Sequence, residues 1–295
     1  MLLAPVPTFA QLGGENLRGD YGMKSGSQGP PGLYFGNMFY SYRTDTIKDL
    51  SGNELSRVNA NIDVFANVIL GNYVTKKKIL GGNYAFGAAL PILNSQLALP
   101  SLDVGAQTWG LADMYFKPLE LGWHFRQADI TTGYGFFAPT GRFSAGSTDN
   151  VGLGMWSNEF SGGTTVYFDR DRKWHAAGIG FYEIHSSKED LDFKTGDIFT
   201  LEGGAGRSYL NGYANAGVAY VAQWKVTEDS GKDVSALVRG KKGSLFALGP
   251  ELNVPLGNTG AFLGFKYLFD TRSRLATSGN YLSLSLTFVK PSKND

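Results

Sequence analysis

The 295-residue sequence contains no cysteine, which excludes disulfide staples and thiol chemistry. It has only three histidines, His124, His175 and His185, and they are too scattered to form a metal-ligand cluster. No cofactor motif is present. Charged residues make up 18%, below the roughly 25% of soluble domains. The net charge of +1 leaves no dominant basic field for nucleic acid. No apolar run approaches the roughly 18 residues of a spanning helix, so a helical membrane protein is excluded. A barrel is not, because its strands are only half apolar.

What is abundant is glycine (40), phenylalanine (20) and tyrosine (15), in segments that alternate with period two. The stretch from Val58 to Gly71 sets Val58, Ala60, Ile62, Val64, Ala66, Val68 and Leu70 against Asn59, Asn61, Asp63, Phe65 and Asn67. Phe160, Thr164, Val166 and Phe168 oppose Glu159, and Leu282, Leu284, Leu286 and Phe288 oppose Ser283, Ser285 and Thr287. Twelve such strands run from Leu33 to Phe288, with no amphipathic helix between them. The first, Leu33 to Arg43, is aromatic on both faces and leaves its parity open; Trp174 to Ile184 alternates less cleanly than the rest.

The connections alternate in length. Asp45–Ser56, Leu93–Thr108, Thr140–Met155, Ser186–Thr195, Thr227–Lys242 and Asp270–Ser278 are long and polar. Gly71–Lys78, Arg126–Asp129, Asp169–Lys173, Arg207–Leu210 and Pro255–Asn258 are shorter. Long loops outside and short turns in the periplasm mark an outer-membrane barrel. Asp63, Asp113, Glu159, Glu202, Glu251 and Lys266 sit at mid-strand on the polar faces. In a soluble sandwich they would lie in a dry core at several kcal/mol each; in a barrel they line a wet lumen. Tyr73, Trp109, Trp174, Tyr209, Tyr267 and Phe288 stand near strand ends, where aromatic girdles belong. The expected fold is therefore an all-β transmembrane antiparallel β-barrel of 12 strands in the outer membrane of a Gram-negative bacterium, the alternative being a soluble all-β protein. On this reading the apolar column of Val58–Gly71 faces lipid.

The expected organisation is a signal-peptide remnant over residues 1–10, an N-terminal arm over 11–31, a barrel over 32–289 and a tail over 290–295. Thr8-Phe9-Ala10 fits signal cleavage before Gln11. Extended, the segment from Gln11 to Gly32 spans at most roughly 70 Å, enough to enter the lumen from the periplasm. There Arg18, Asp20, Tyr21 and Lys24 would pair with lumen carboxylates as a plug; a disordered periplasmic tail is the alternative.

Three sets of motifs carry a resemblance. Pro30-Pro31-Gly32-Leu33-Tyr34 leads into the first strand. Gly110-Leu111-Ala112-Asp113 is followed by Pro118-Leu119 and Gly122-Trp123. Pro139-Thr140-Gly141-Arg142-Phe143 is followed by Asn150, Gly152 and Trp156. In their order and spacing the chain resembles the phenol-degradation (meta-pathway) family of outer-membrane channels, with Ala112 in place of a glycine of the pattern. The resemblance implies a monomeric twelve-stranded barrel with an arm occluding its lumen, and uptake of hydrophobic compounds such as aromatic or lipid-like molecules. The C-terminal strand ending in Phe288 resembles the signal read by outer-membrane barrel assembly machinery, although seven residues follow it.

An apolar solute leaving through a wet lumen must be rehydrated, whereas exit through the wall into the bilayer avoids this. The wall is sealed by a hydrogen-bond ladder, and proline breaks ladders because it has no N–H to donate. Pro91, Pro118 and Pro139, on three adjacent strands, together with Thr140 and Gly141, are the expected lateral gate; the plain reading is strand ends and bulges. Pro250 is a second candidate. The lumen charges read first as a structural ion-pair network. Phe65, Tyr115, Phe137 and Phe262 would line an apolar path or simply fill a narrow barrel. The competing functions are a narrow porin for small hydrophilic solutes or ions, a structural barrel, and a barrel hydrolase using His185 beside Ser186, Ser187, Glu189 and Asp190. Adjacency in a loop is not triad geometry, so no enzyme is expected. The expected partners are outer-membrane lipid, the hydrophobic solute and the assembly machinery, with no cofactor.

Overall fold

The computed structural model describes residues 12–55, 60–100, 104–236 and 238–292. The segment 1–10, Gln11, the first residues Val58 and Asn59 of the alternating stretch, and residues 293–295 lie outside them. The strands are β1 (Gly32–Lys48), β2 (Asn61–Ile79), β3 (Gly82–Leu99), β4 (Val104–Leu111), β5 (Met114–His124), β6 (Ala128–Ala138), β7 (Ser157–Tyr167), β8 (Trp174–His185), β9 (Ile198–Tyr209), β10 (Ala214–Lys225), β11 (Ser244–Pro255), β12 (Ala261–Arg274) and β13 (Ala276–Pro291). Each pairs antiparallel with its neighbours, β1 with β13 closes the ring, and β4 and β5 both pair with β3. These two form one stave broken at Ala112–Asp113, so the structure is a closed twelve-stave antiparallel β-barrel. Below that break, closure leaves no exposed sheet edge, as a bilayer demands.

The periplasmic turns are short. Leu80 and Gly81, both at positive φ, turn β2 into β3, so the turn expected at Gly71–Lys78 is in fact strand. At the other end two of the six expected long loops shrink. β12 passes to β13 through Leu275 alone, also at positive φ, and most of Leu93–Thr108 is the extended β3–β4 hairpin. Both segments are polar, so their sequences carry little sign that the ladder continues through them. The last strand also continues past residue 289 to Pro291, where Lys290 and Pro291 pair with Leu33 and Gly32.

Burial settles the two faces. On β7, β9, β10, β12 and β13 the outward columns carry large apolar side chains, exposed at Phe160, Tyr209, Val218, Leu263, Phe265, Leu284 and Phe288. Trp109, Trp156, Trp174 and Tyr209 are exposed at strand ends. The outward reading of these columns holds. The second strand is the exception, and its lipid-facing assignment is corrected. Ile62, Ala66 and Val68 of β2 are buried, and Val64, Ala66, Val68 and Leu70 line the cavity enclosed by the barrel. Asp63, Phe65 and Asn67 stand on the opposite face. Asp63 is therefore removed from the lumen network; it pairs with Arg43 at 3.1 Å near the loop end. Phe65 likewise leaves the apolar path, and Phe262 stacks on Tyr213. Period two identifies a two-faced strand, but which face is inward depends on what the lumen offers, and here the lumen is apolar beside β1–β3.

The outward face of that sector carries two amides. Asn37 and Asn67 bond reciprocally, Nδ2 of each to Oδ1 of the other, at 2.9 and 3.0 Å. Each satisfies the other where no water is at hand. Replacing either one by leucine strands the other amide and should cost about 1–2 kcal/mol, whereas the double replacement should be nearly neutral. Urea unfolding of the barrel in vesicles measures both.

Candidate functional site

The barrel encloses a cavity of about 380 Å³ with two unlike walls. One is apolar and comes from the inward faces of β1, β2 and β3: Met38, Tyr40, Tyr42, Val64, Ala66, Val68, Leu70, Ala89, Pro91 and Leu93. The other carries Tyr115, Phe137, Glu159, Phe181, Glu251 and Lys266 from the strands, with Glu15, Asn16, Leu17, Asp20 and Tyr21 from the arm.

The arm is fastened by wall side chains along its length. Glu183 accepts from the N–H of Glu15 (2.8 Å) and of Asn16 (3.3 Å). Glu159 accepts from Asn16 Nδ2 (3.0 Å) and from the Tyr115 hydroxyl (2.7 Å). Glu202 accepts from the N–H of Gly19 (2.7 Å) and of Tyr21 (2.9 Å). Lys266 donates to the carbonyls of the same two residues at 2.6 and 2.5 Å. Glu251 takes the Met23 N–H at 2.9 Å, Glu120 takes Gln28 Nε2 at 3.0 Å, and Asp129 takes the Ser27 hydroxyl at 2.7 Å. Glu159, Glu202, Glu251 and Lys266 thus bond to the arm's backbone and amides, where the sequence suggested an ion-pair network among the wall charges. Backbone N–H groups and carbonyls without a ladder must be satisfied somewhere, and ionised partners make the stronger bonds.

Of the arm residues singled out from the sequence, Tyr21 also packs its ring on Phe181 at 4.9 Å, and Asp20 lines the cavity. Arg18 does not reach a carboxylate; its guanidinium lies over the rings of Tyr42 and Tyr281. The Pro30 carbonyl accepts from the Tyr34 hydroxyl at 2.7 Å, and that of Pro31 from the Ser292 N–H at 3.0 Å, which joins the arm to both ends of the barrel chain. Glu120, Asp129, Glu183 and Asn16 join this set without any local signal in the sequence. Glu183 shares inward parity with His175, but inward-facing Ile179 and Phe181 between them blur the alternation of β8.

The broken stave is the second feature. β4 pairs with β3 but has no strand on its other side, where β6 has already ended at Ala138. The segment from Pro139 to Trp156 fills that place. Asp113, buried in the break, accepts from the N–H of Gly141 (2.8 Å) and of Leu153 (2.6 Å). Thr140 receives the Met114 N–H at 3.0 Å, and Arg142 donates to Asp149 and Thr108. Gly141 packs its backbone against that of Gly152, where a β-carbon would stand 2.7 Å from the Gly152 Cα, so only glycine fits. Asp113 is therefore a latch on this segment.

Pro91 does not close its strand; β3 runs through it to Leu99, while its carbonyl takes the N–H of Ala112 at 3.0 Å. Pro118 lies at a register shift between Phe116 and Leu119, and Pro139 follows the last residue of β6. Pro250 faces a gap in the β11–β12 pairing between Leu248 and Glu251. Ala112, Asp113, Val151 and Leu153 reach the cavity, so the break and the apolar wall share one space.

Glu15 brings the arm to the latch. Burial, then the charge of Asp113, raise its carboxyl well above the ordinary range. Lys188, in the loop after β8, is buried nearby, and burial brings its ammonium down to about 8. His185 bonds through Nδ1 to Ser157 Oγ at 2.9 Å, with both residues buried, and does not engage the exposed loop serines through that nitrogen.

A sequence profile of the family described as "Putative MetA-pathway of phenol degradation" matches residues 44–286. The chain belongs to this family. Among solved structures it is similar to the COG4313 outer membrane channel from Pseudomonas putida F1, with 14% identity over 94% of this chain and 100% of that one and a TM-score of 0.78. It is more distantly similar to the β domain of the Bordetella autotransporter BrkA, at 12% identity over 88% of this chain and 100% of that one, with a TM-score of 0.49. The CymD monoaromatic hydrocarbon channel is 10% identical over 90% of this chain and 91% of that one, with a TM-score of 0.44. A search of curated proteins gives no match. Family, barrel and outer apolar belt together place the protein in the Gram-negative outer membrane. The structure it matches at a TM-score of 0.78 is described as an outer membrane channel.

Proposed function

We propose that this protein, acting as a monomer, is a passive channel through which small hydrophobic molecules, aromatic or lipid-like, enter from outside and leave sideways into the bilayer. The observation that carries the reading is the apolar wall of the cavity meeting the broken stave at Pro91 and Ala112. A solute seated there keeps its apolar surface out of water, worth roughly 0.8 kcal/mol per methylene. It then meets the part of the wall where side-chain latches, not a full ladder, hold the strands. The gate is the segment 139–156, with Pro139, Thr140 and Gly141 at its base, swinging off Asp113. Pro91 and Pro118 weaken the pairing beside it. Residues 12–31 form a plug threaded through the lumen, held by Glu159, Glu202, Glu251 and Lys266, so that water and ions do not follow the solute. The family's description, a pathway of phenol degradation, supports this substrate class.

With no native cysteine, the gate can be tethered cleanly. Ala112→Cys with Thr140→Cys places two thiols where the Thr140 hydroxyl now lies 3.3 Å from the Ala112 carbonyl. Oxidation should cut the uptake of toluene severalfold and reduction should restore it. Full uptake through the oxidised protein would refute the gate.

A further inference from the structure

The arm carries one group whose surroundings suit it poorly. Arg18 is only 1% exposed, and its Nε, Nη1 and Nη2 have no hydrogen-bond partner among the described residues. Its guanidinium carbon lies 5.2 Å from the ring centroid of Tyr42 and 4.7 Å from that of Tyr281. The two rings stack at 4.6 Å, and Tyr40 stands 6.0 Å from Tyr281. The phenols are pinned from behind: Tyr42 donates to Thr277 Oγ1 at 2.6 Å, and Tyr281 donates to Asp270 at 3.3 Å. Asp270 is fixed in turn by the Gly279 N–H at 2.9 Å. The site offers π faces and a nearby carboxylate but leaves the guanidinium donors unbonded. A buried ion that lacks hydrogen bonds is costly. An alkylated ammonium has no donors to strand and is held by aromatic faces alone.

We propose that Tyr40, Tyr42 and Tyr281, with Asp270, form a receptor for the head group of an amphipathic organic cation, and that Arg18 occupies it as an internal stand-in. Two further observations supply the ligand's tail and its route. Tyr40 and Tyr42 also line the apolar cavity, whose β1–β2 wall of Met38 and Val68 continues from the cage. On the loop side, Asp270 borders an outer pocket of about 570 Å³ in which, among the described residues, Asp45, Asp63 and Asp270 face Arg43 as the one cation. That excess of carboxylates draws cations toward the cage. A ligand that displaces Arg18 also undoes one fastening of the arm.

The cage rests on its own geometry and its test reads binding, whereas the channel reading is judged by uptake, so either can fail alone. The probe is hexyltrimethylammonium, titrated calorimetrically into the full chain in maltoside micelles, with hexanol and hexanoate as controls. Arg18→Met empties the cage of its cation and should tighten binding of the probe by about tenfold, the range of one desolvated cation–π contact, with hexanol unchanged. Arg18→Lys, which keeps a competing cation, should stay near wild type. Adding Tyr281→Leu to Arg18→Met should abolish the gain. A gain in affinity cannot come from misfolding, and heat-modifiable gel mobility confirms each barrel. No tightening in a folded Arg18→Met or Arg18→Gln protein, or an equal gain for hexanol, would overturn the proposal.

Discussion

Deleting residues 12–29 is expected to raise the single-channel ion conductance severalfold while the barrel stays intact. The arm contributes almost nothing to the ladder that closes the ring; its bonds go to inward side chains of β5, β6, β7, β8, β9, β11 and β12. Without it the lumen is left with a ring of carboxylates facing water, which they tolerate well. Glu159, Glu183, Glu202 and Glu251 outnumber Lys266 and Lys117, so the opened pore should prefer cations. Lys117 stays paired with Glu120, so its charge is largely spent. Conductance unchanged by the deletion would mean that the arm does not obstruct the pore.

Glu202→Ala should produce the second large effect. This carboxylate holds the arm at Gly19 and Tyr21 and faces Lys266, which grips the carbonyls of the same residues. Losing charge-assisted bonds at about 1.5–3 kcal/mol each removes roughly 3 kcal/mol of arm docking. That corresponds to about a hundredfold more frequent opening, read as open-state occupancy in planar bilayers. Glu202→Gln, which keeps one acceptor, should fall between the two. The same substitution should barely change barrel unfolding, because the ladder between β9 and its neighbours is backbone.

These effects lie where the sequence was hardest to read. The barrel itself was legible, because period-two alternation on β7, β9, β10, β12 and β13 has one physical cause, lipid on one side. Glu159, Glu202, Glu251 and Lys266 were legible as inward for the same reason. What they bind was not. The arm has no periodicity, so nothing local signals that its backbone and side-chain donors must find carboxylates on six strands, and its carbonyls a lysine on a seventh. The orientation of β2 failed for a related reason. Its Val and Ala column is as apolar as any lipid face, and only the neighbouring Met38, Tyr40, Pro91 and Leu93 reveal that the cavity there is apolar too. The Asn37–Asn67 pair across β1 and β2 shows how polar residues meet lipid at low cost. The Ala112–Asp113 break leaves no mark in the sequence, since Met114 and Phe116 carry on the alternation from Ala112. Pro91, Pro118 and Pro139 marked the neighbourhood, but Asp113 as a latch on Gly141 and Leu153 emerges only from the tertiary structure.

The central claim is that the lumen serves apolar solutes and not water-soluble ones. It is tested most directly by measuring, in the same outer-membrane vesicles with and without the protein, entry of toluene and of arabinose. The protein should accelerate toluene entry and leave arabinose entry at the level of protein-free vesicles. Faster arabinose entry with toluene unaffected would make it a narrow hydrophilic porin and contradict the account.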